Sequence, residues 1–427
     1  MTGIKKKILG FILICFLAVT MLPAQNRRTA PGEDLAIKIA VMGPGDEMYF
    51  WWGHITLVIE NTRSGQSYSY DYGLFSFDNE NFFFNFAFGR LLYSSGVSMF
   101  GQNVASYIFH DRSITLYTLD ISPEKRAEVL NIAETNILPE NRNYYYHHFR
   151  DNCSHRIRDI IDIATDGQFR EKYGDAPGRF TFRQHVRRHT WFSPFFDWIL
   201  NFWMGQDIDK PITVWDEMFL PSEIGKRINE LIITDSNGIS RPLVSNVEVI
   251  YESVNRPTVL DIPRMQWPRE LLAGIIIMAA LAFFFFLQTK SPVGQVLLGL
   301  SQSLLGLFFG IAALLLYFMA LFTNHDYTYH NMNMLFASPL LLAAVPFGIR
   351  YAISSSEAGR VFYDTILRIL WLLVLLGIVV SMLLKLLPWF WQANLTDELF
   401  MLPFVLILAL EPFGFREFIG RIFWRWL

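Results

Sequence analysis

The pattern of hydrophobic and polar positions changes near residue 265. Residues 25–264 mix short alternating stretches with polar turns, which is typical of a folded α+β domain. Beyond them, the chain carries long apolar runs at about 270–288, 294–322, 332–349, 366–387 and 397–413. Because about 20 apolar residues in a helix cross a bilayer, residues 265–427 are predicted to form an all-α transmembrane domain of five helices.

The first residues resemble an export signal. Lys5, Lys6 and Lys7 precede an apolar run over residues 8–22, and LPAQ offers a cleavage point after Ala24. The pattern predicts a signal peptide over residues 1–24, with an uncleaved anchor as the alternative. In either case, residues 25–264 are predicted to be exported.

Basic residues predict how the five spans are oriented. With residues 25–264 outside, Lys290, Arg350 and Arg360 fall on the inner side, together with the basic C-terminal end. The outer stretches FTNHDYTYHN and PWFWQANLTDE carry no Lys or Arg. We therefore expect an inner-membrane protein with a cytoplasmic C-terminus and with the loops near residues 325 and 391 facing the exported domain.

Shorter patterns predict elements within the exported domain. HITLVIE (54–60) and SYSYDYGLF (67–75) form a predicted hairpin, and residues 122–136 and 153–164 have helical spacing. The basic stretch RQHVRRH is interpreted as a solvated face.

Two aromatic-rich stretches, residues 80–100 and 191–205, are too short or too interrupted to span a membrane. Their Phe and Trp content suits a bilayer interface or an acyl groove, and ordinary core packing is the alternative.

The chain has two cysteines, and Cys15 lies within the predicted signal peptide. In an oxidising compartment, Cys153 is left as an unpaired thiol, either a buried structural residue or a nucleophile. Asp151 and Asn152 are good N-cap residues, so Cys153 is predicted in the first turn of a helix. There, the dipole favours a thiolate and the free N–H groups could hold an oxyanion, with Asp151 and Asn152 in support.

A thiol nucleophile needs a base, and His54 is the best candidate because it opens a strand behind Gly53. Asp71 on the partner strand could orient the imidazole. A packed core histidine is the alternative interpretation of His54, and a turn cap that of Asp71. His155 follows Cys153 by only two residues, so on a helix it is expected to point elsewhere.

Other ligands have little support in the sequence. The net charge of −3 does not indicate binding to nucleic acid. HDYTYH (325–330) has two histidines but no cysteine or clustered carboxylates, so neither a metal nor another cofactor is predicted.

Several motifs together resemble a known family. WWGHITLVIE, YDYGLFSFDNENFFFNFAFGRLLY, DNCSHRIRDI and GQDIDKPITVWDEMFLPSEI are similar to the periplasmic domain of the Lnb-type lipoprotein N-acyltransferases. FTNHDYTYHNMNMLFASPL resembles the motif between membrane spans in that family. By position, Cys153 matches the family nucleophile and His54 its partner, and His325, Asn331 and Asn333 match the outer-loop motif without an assigned role. His155 stands where a small hydroxyl residue is expected.

The resemblance implies a permuted papain-like (NlpC/P60-like) cysteine fold on a multi-span membrane domain. It also implies transfer of an acyl chain from a phospholipid, through a Cys153 thioester, to the α-amino group of a lipoprotein's N-terminal diacylglyceryl-cysteine. Two other functions remain open at this point. One is a membrane-tethered cell-wall peptidase or amidase that uses the same Cys–His pair, and the other is a non-enzymatic lipid-binding protein. The oligomeric state is open as well.

Overall fold

The computed structural model describes residues 30–75 and 81–411. The predicted signal peptide over residues 1–24, the last residues of the predicted fifth span and the basic C-terminal end lie outside the described residues.

The strands belong mostly to one antiparallel sheet with the order β6-β4-β3-β2-β1-β5-β9. β7 and β8 form a separate small hairpin. The strands are β1 Leu35–Met42, β2 His54–Asn61, β3 Gln66–Leu74, β4 Leu92–Met99, β5 Ile114–Leu119, β6 Asn143–Tyr145, β7 Ile232–Thr234, β8 Ser240–Pro242 and β9 Val244–Tyr251. The predicted hairpin is therefore confirmed as β2–β3, in a register that pairs Thr56 with Asp71.

Helices follow or interrupt these strands. Before the membrane segment, the α-helices are α1 Phe82–Ala87, α2 Phe100–Phe109, α3 Pro123–Asn136, α4 Cys153–Ala164, α5 Gln168–Tyr173, α6 Phe182–Thr190, α7 Pro194–Trp203, α8 Val214–Glu217 and α9 Pro221–Glu230. The predictions of helices over residues 122–136 and 153–164 are confirmed by α3 and α4.

β2 lies in the middle of the sheet and is covered on both faces, so its residues from Ile55 to Ile59 are all buried. Ile157 and Ile161 of α4 share one hydrophobic core with Ile55 and Leu57. Val58 belongs instead to a core on the opposite face, against which α2 packs. Burying each such aliphatic side chain contributes about 1.5–3 kcal/mol, which holds the start of α4 against the start of β2.

The C-terminal part consists of apolar helices. These are α10 Trp267–Gln288, α11 Pro292–Phe322, α12 Ala344–Ile353, α13 Glu357–Leu384 and α14 Leu395–Leu410. Within the described residues, α10, α11 and α13 are long and apolar enough to cross a membrane. The mixed α/β domain followed by apolar helices agrees with the predicted classes, whereas the permuted papain-like topology and the number of five spans stay predictions.

The predicted third span differs from the structure. Residues 332–349 do not form one long helix, because two 3₁₀ helices, Met332–Leu335 and Pro339–Ala343, precede α12. The Asn331 and Ser338 side chains accept hydrogen bonds from the backbone just ahead of them, at Asn333 N and Leu340 N. Such local side-chain bonds compete with the helical hydrogen-bond pattern, and this competition explains the interruption.

The interpretation of RQHVRRH as a solvated face is wrong, since most of this segment is buried in α6. Arg183 donates to Asp209 and to the carbonyl groups of Asn201, Met204 and Gly205. His185 bonds to Glu217 at 3.1 Å. Charged residues tolerate burial when every donor has a partner, and sequence patterning cannot show such partners in advance.

The aromatic stretch at residues 191–205 is divided between two environments. Trp198 and Phe202 of α7 belong to the hydrophobic core of the membrane helices. Phe195, on the same helix, is 54% exposed. Core packing is therefore the right interpretation for one face of α7, and this face joins the periplasmic domain to the membrane helices.

Candidate active site

The site begins at Gly53, where the backbone turns into β2. Gly53 has φ +79°, and a Cβ at this position would lie 2.6 Å from the carbonyl oxygen of Met42. A side chain is excluded by the conformation and by this close approach. Glycine thus fixes the direction in which the chain enters β2, and His54 is the first residue of that strand.

Asp71 lies beside His54. The His54 Nε2 atom is 3.1 Å from the Asp71 Oδ1 atom, and the Asp71 side chain is largely buried. Asn103 of α2 donates its Nδ2 hydrogen to the other carboxylate oxygen of Asp71, at 3.2 Å. The carboxylate is therefore held from two sides next to the imidazole, and its role in orienting the ring stays a prediction.

Cys153 is the first residue of α4. The Asn152 side chain caps this helix, and its Oδ1 atom accepts from the N–H groups of Ser154 at 2.9 Å and His155 at 3.3 Å. The helix dipole adds positive potential at this end, which favours a thiolate over a thiol.

The structure places the Cys153 thiol next to His54 and to the backbone N–H of Ile55, close enough for both to lower the pKa of the thiol. Because Nε2 of His54 faces Asp71, the Nδ1 atom is the ring nitrogen left for the sulfur. The two predicted partners, 99 residues apart in the chain, thus lie side by side at the junction of β2 and α4.

The electrostatics favour an ion pair. Burial alone would raise the pKa of the Cys153 thiol, but the positive charge of His54 and the nearby N–H of Ile55 hold this pKa below its ordinary value. Burial alone would lower the pKa of His54, but the neighbouring Tyr107 and Cys153 and the bond to Asp71 raise it well above its ordinary value. Opposite shifts in two touching groups favour a thiolate next to an imidazolium.

His155 has a different task. Its Nδ1 atom accepts a hydrogen bond from the backbone N–H of Asn152 at 3.3 Å, which completes a reciprocal capping box. Burial and nearby cations lower the pKa of His155 to about 3, so the ring is neutral. A histidine can thus replace a small hydroxyl residue here because it satisfies a donor at the start of the helix.

The two residues predicted as support differ in their surroundings. Asn152 donates its amide hydrogens to the carbonyl oxygens of His148 and Phe219, so this side chain also ties the start of α4 to two neighbouring segments. Asp151 forms an ion pair with Arg156 at 2.6 Å on the partly exposed side of α4. The Asn152 cap also takes up the N–H groups of Ser154 and His155, leaving the N–H of Cys153 as the first-turn donor available to an oxyanion.

The loop after α11 approaches this site from the membrane side. His325 is buried, with Nε2 at 3.1 Å from the carbonyl oxygen of Phe86 and Nδ1 at 3.0 Å from the Tyr327 hydroxyl. The Asp326 carboxylate accepts from His147 Nε2 at 2.7 Å and lies 3.6 Å from Arg150. The outer loop is therefore joined by a hydrogen bond and an ion pair to the segment that precedes Cys153.

Asn331 and Asn333 lie deeper, away from the thiol. Both donate their side-chain Nδ2 hydrogens to the carbonyl oxygen of Phe202, at 3.0 and 2.9 Å. Asn333 also donates to Asp397 and accepts from Asn394. These asparagines join α7, the outer loop and the start of α14, and the structure does not bring them into the Cys153 cluster.

Within the described ranges, no group of three or more His, Cys, Asp or Glu residues is arranged to hold a metal ion. His330, the second histidine of HDYTYH, is exposed and pairs with Asp207 at 3.1 Å.

Sequence reasoning missed three neighbours of the site: Asn103, Tyr107 and Tyr146. Tyr146 and Cys153 both lie next to Gly73. A Cβ on Gly73 would be 3.1 Å from the Tyr146 ring and 3.7 Å from the Cys153 Cβ atom. Asn103 and Tyr107 are four residues apart, so they share one face of α2. That spacing was visible in the sequence, but nothing in it placed α2 over the start of β2.

Taken together, the chain has a mixed α/β domain with a preformed Cys–His–Asp cluster, joined to apolar helices long enough to cross a membrane. These features agree with a membrane protein whose α/β domain carries a candidate thiol site.

Comparison with known proteins gives a family-model match for the N-terminal domain. Residues 23–188 match the family model described as the Lnb N-terminal periplasmic domain, and this range contains His54, Asp71 and Cys153. The match supports the resemblance of the N-terminal domain to the Lnb-type lipoprotein N-acyltransferases, and it supports a periplasmic location for this domain. The match covers less than half of the chain and none of the membrane helices. No curated protein and no solved structure was found to match.

Proposed function

We propose that this protein is a lipoprotein N-acyltransferase in which Cys153 carries the acyl chain between a phospholipid and a lipoprotein. The observation that carries the proposal is the contact between the Cys153 thiol and His54, with their pKa values shifted in opposite directions. A thiolate that exists before substrate binds can attack an ester without first losing a proton.

The first half-reaction forms the thioester. The Cys153 sulfur attacks an ester carbonyl carbon of the phospholipid, and the N–H of Cys153 donates to the developing oxyanion. The C–O bond then breaks, and the His54 imidazolium gives its proton to the departing lysophospholipid oxygen. His54 is left neutral, and the acyl group is held as a thioester on Cys153.

The second half-reaction uses the same groups in reverse. The α-amino group of the diacylglyceryl-cysteine at the N-terminus of a lipoprotein attacks the thioester carbonyl, and neutral His54 takes a proton from this nitrogen. The C–S bond breaks, which restores the thiolate–imidazolium pair and releases an amide. Asp71 and Asn103 act as positioning residues, because they hold the imidazole rather than touch the substrate.

The membrane helices support a lipid substrate. The loop after α11 contacts both α1 and the His147–Arg150 segment, so the thiol is close to the periplasmic end of a membrane-crossing helix. Both proposed substrates are anchored in the same leaflet, and a site at this level reaches their polar ends while the chains stay in the membrane.

The test is mass spectrometry of lipoprotein N-termini in a host that lacks other N-acylating activity. With the wild-type chain, we expect an N-acyl group on the N-terminal cysteine and an acyl adduct on Cys153 when the acceptor is withheld. Cys153→Ala should abolish both products. Ser154→Ala is the matched control at the next position and should keep both products, since its hydroxyl has no hydrogen-bond partner among the described residues.

N-acylated lipoprotein produced by Cys153→Ala would refute the proposal. Cleavage of cell-wall peptides by the full-length wild-type protein, without any lipid product, would favour the peptidase alternative instead.

A further inference from the structure

Helix α1 exposes an unusual concentration of phenylalanine. Its sequence is FFFNFA, and none of its residues is buried. Phe83 is 70% exposed, Phe84 56% and Phe86 45%. Three large apolar side chains on so short a helix are unfavourable in water, and such exposed patches mark surfaces that contact another apolar phase.

The position of α1 shows which phase that is. The Phe88 ring, just after α1, contacts the Phe318 ring in the last turns of α11 with a centroid distance of 5.4 Å. The N–H of Asn324, just beyond the end of α11, donates to the Phe88 carbonyl oxygen at 3.0 Å. Leu321 and Phe322, at the end of α11, are themselves more than 60% exposed. The apolar surface of α1 is thus continuous with that of a helix long enough to cross a membrane.

A row of aromatic rings leads from α1 towards the thiol. Phe82 of α1 stacks on Phe75 at 5.8 Å, Phe75 stacks on Tyr93 at 5.0 Å, and Tyr93 meets Tyr146 at 4.5 Å. The Tyr146 ring borders Gly73, which also borders Cys153. An apolar chain lying along these rings would keep contact with carbon atoms all the way from the exposed helix to the sulfur.

The charge beside α1 suits a phospholipid. Arg90 follows the helix, is exposed, and holds its guanidinium group 5.8 Å from the Phe88 ring. Aromatic rings next to a cation are favoured where acyl chains meet phosphate headgroups, because the rings take the apolar side and the cation faces the phosphate.

We propose that α1 lies in the periplasmic leaflet and receives the acyl chains of a glycerophospholipid, which then reach Cys153 along the row formed by Phe82, Phe75, Tyr93 and Tyr146. This inference rests on the proposed function for the reaction that follows, but contact between α1 and lipid does not depend on acyl transfer. The surface therefore selects the donor substrate before any chemistry occurs.

The experiment is photolabelling of the full-length protein in vesicles of phosphatidylethanolamine and phosphatidylglycerol. A trace of the phosphatidylethanolamine carries a photoactivatable group on its acyl chain, and adducts are located by mass spectrometry after digestion. We expect the peptide that contains α1 to carry about tenfold more adduct than the peptide that contains Ile239. Ile239 is the matched control because it is 61% exposed and lies in the turn between β7 and β8.

A pair of variants links this contact to the reaction. Phe83→Ser combined with Phe84→Ser should lower the acylation of Cys153 from vesicles by about tenfold, since two interfacial side chains are lost. Phe83→Trp combined with Phe84→Trp should restore it, because tryptophan also favours the interface. Ile239→Ser should stay within about twofold of wild type, a change too small to reflect a lost interfacial anchor. Thermal melting shows whether the serine variant is folded, which is expected because both side chains are exposed.

Equal labelling of the α1 and Ile239 peptides would overturn the inference, as would full acylation in a folded serine variant. Strong labelling of α1 in a wild-type protein that never acylates Cys153 has a different meaning. It would leave the lipid-contact surface standing and refute the proposed function.

Discussion

Two buried polar clusters in this molecule look alike in composition but differ in their hydrogen bonds. Around Cys153, His54 bonds to Asp71 on one side and lies next to the thiol on the other. Around Asn333, polar side chains bond to the Phe202 carbonyl oxygen and to groups on other elements. The first arrangement can move a proton, whereas the second satisfies backbone and side-chain groups that would otherwise be buried unpaired.

The comparison shows why a shared motif does not assign a role. His325, Asn331 and Asn333 all belong to the outer-loop motif, yet the asparagines join three elements and His325 binds a backbone carbonyl near the site. We therefore expect changes at Cys153 and its partners to reduce the rate, and changes at Asn333 to reduce stability.

The largest effect should come from His54→Ala. It removes the base and the positive charge that lowers the thiol pKa, so we expect the rate of thioester formation to fall by about a thousandfold. The measurement is single-turnover acylation of Cys153 in vesicles, with His155→Asn as the control, because that side chain can still cap the helix. A loss of equal size in a folded His155→Asn would contradict the assignment of His54 as the base.

A smaller effect is expected from Asp71→Asn, and it should depend on pH. The rate should rise as pH increases through the lowered pKa of Cys153 and fall as pH increases through the raised pKa of His54. The hydrogen bond to Asp71 helps to raise the pKa of His54, so Asp71→Asn should move the alkaline limb to lower pH. A shift of one pKa unit corresponds to about a tenfold change in the equilibrium.

Asn103→Ala is the matched partner of this variant. It removes the second hydrogen bond to Asp71 but keeps the carboxylate. The alkaline limb of the pH–rate profile should therefore move to lower pH, but by less than in Asp71→Asn. A pH–rate profile measured on all three proteins checks both expectations, and an alkaline limb that stays in place in Asp71→Asn would refute the positioning role.

The smallest effect on the rate should come from Asn333→Ala. It leaves the Asp397 carboxylate and the Asn394 amide without their partner, at a cost of about 1–3 kcal/mol in stability. We expect a lower melting temperature in detergent, with the rate per folded molecule kept within about twofold, since no proton-transfer group is lost. Asn237→Ala, in the exposed turn between β7 and β8, should change neither quantity. A large loss of rate without loss of stability would move Asn333 into the reaction.

Much of the site was predictable because it depends on local rules. The N-cap preference of Asn152 and the apolar spacing after Cys153 place the thiol at a helix start, and α4 begins at that residue. Gly53 indicates a close approach, and strand alternation pairs β2 with β3. Each of these signals acts over a few residues, so the sequence carries it without the fold.

Two other features could not be predicted from the spacing of hydrophobic residues. The burial of Arg183 and His185 depends on acceptors more than 15 residues away, and the break before α12 depends on side chains that bond locally instead of extending a helix. The spacing of hydrophobic residues carries no information about distant hydrogen-bond acceptors or about local side-chain hydrogen bonds.

By itself, the sequence determined the change from an α/β domain to apolar helices, the hairpin that carries His54 and Asp71, and the helix that begins at Cys153. Only the tertiary structure decided that His54 and Cys153 touch, that Asn103 holds Asp71, and that α1 meets the end of α11. The physical reason is that local hydrogen bonding and periodicity fix each element, whereas contacts between elements depend on how their apolar faces pack together.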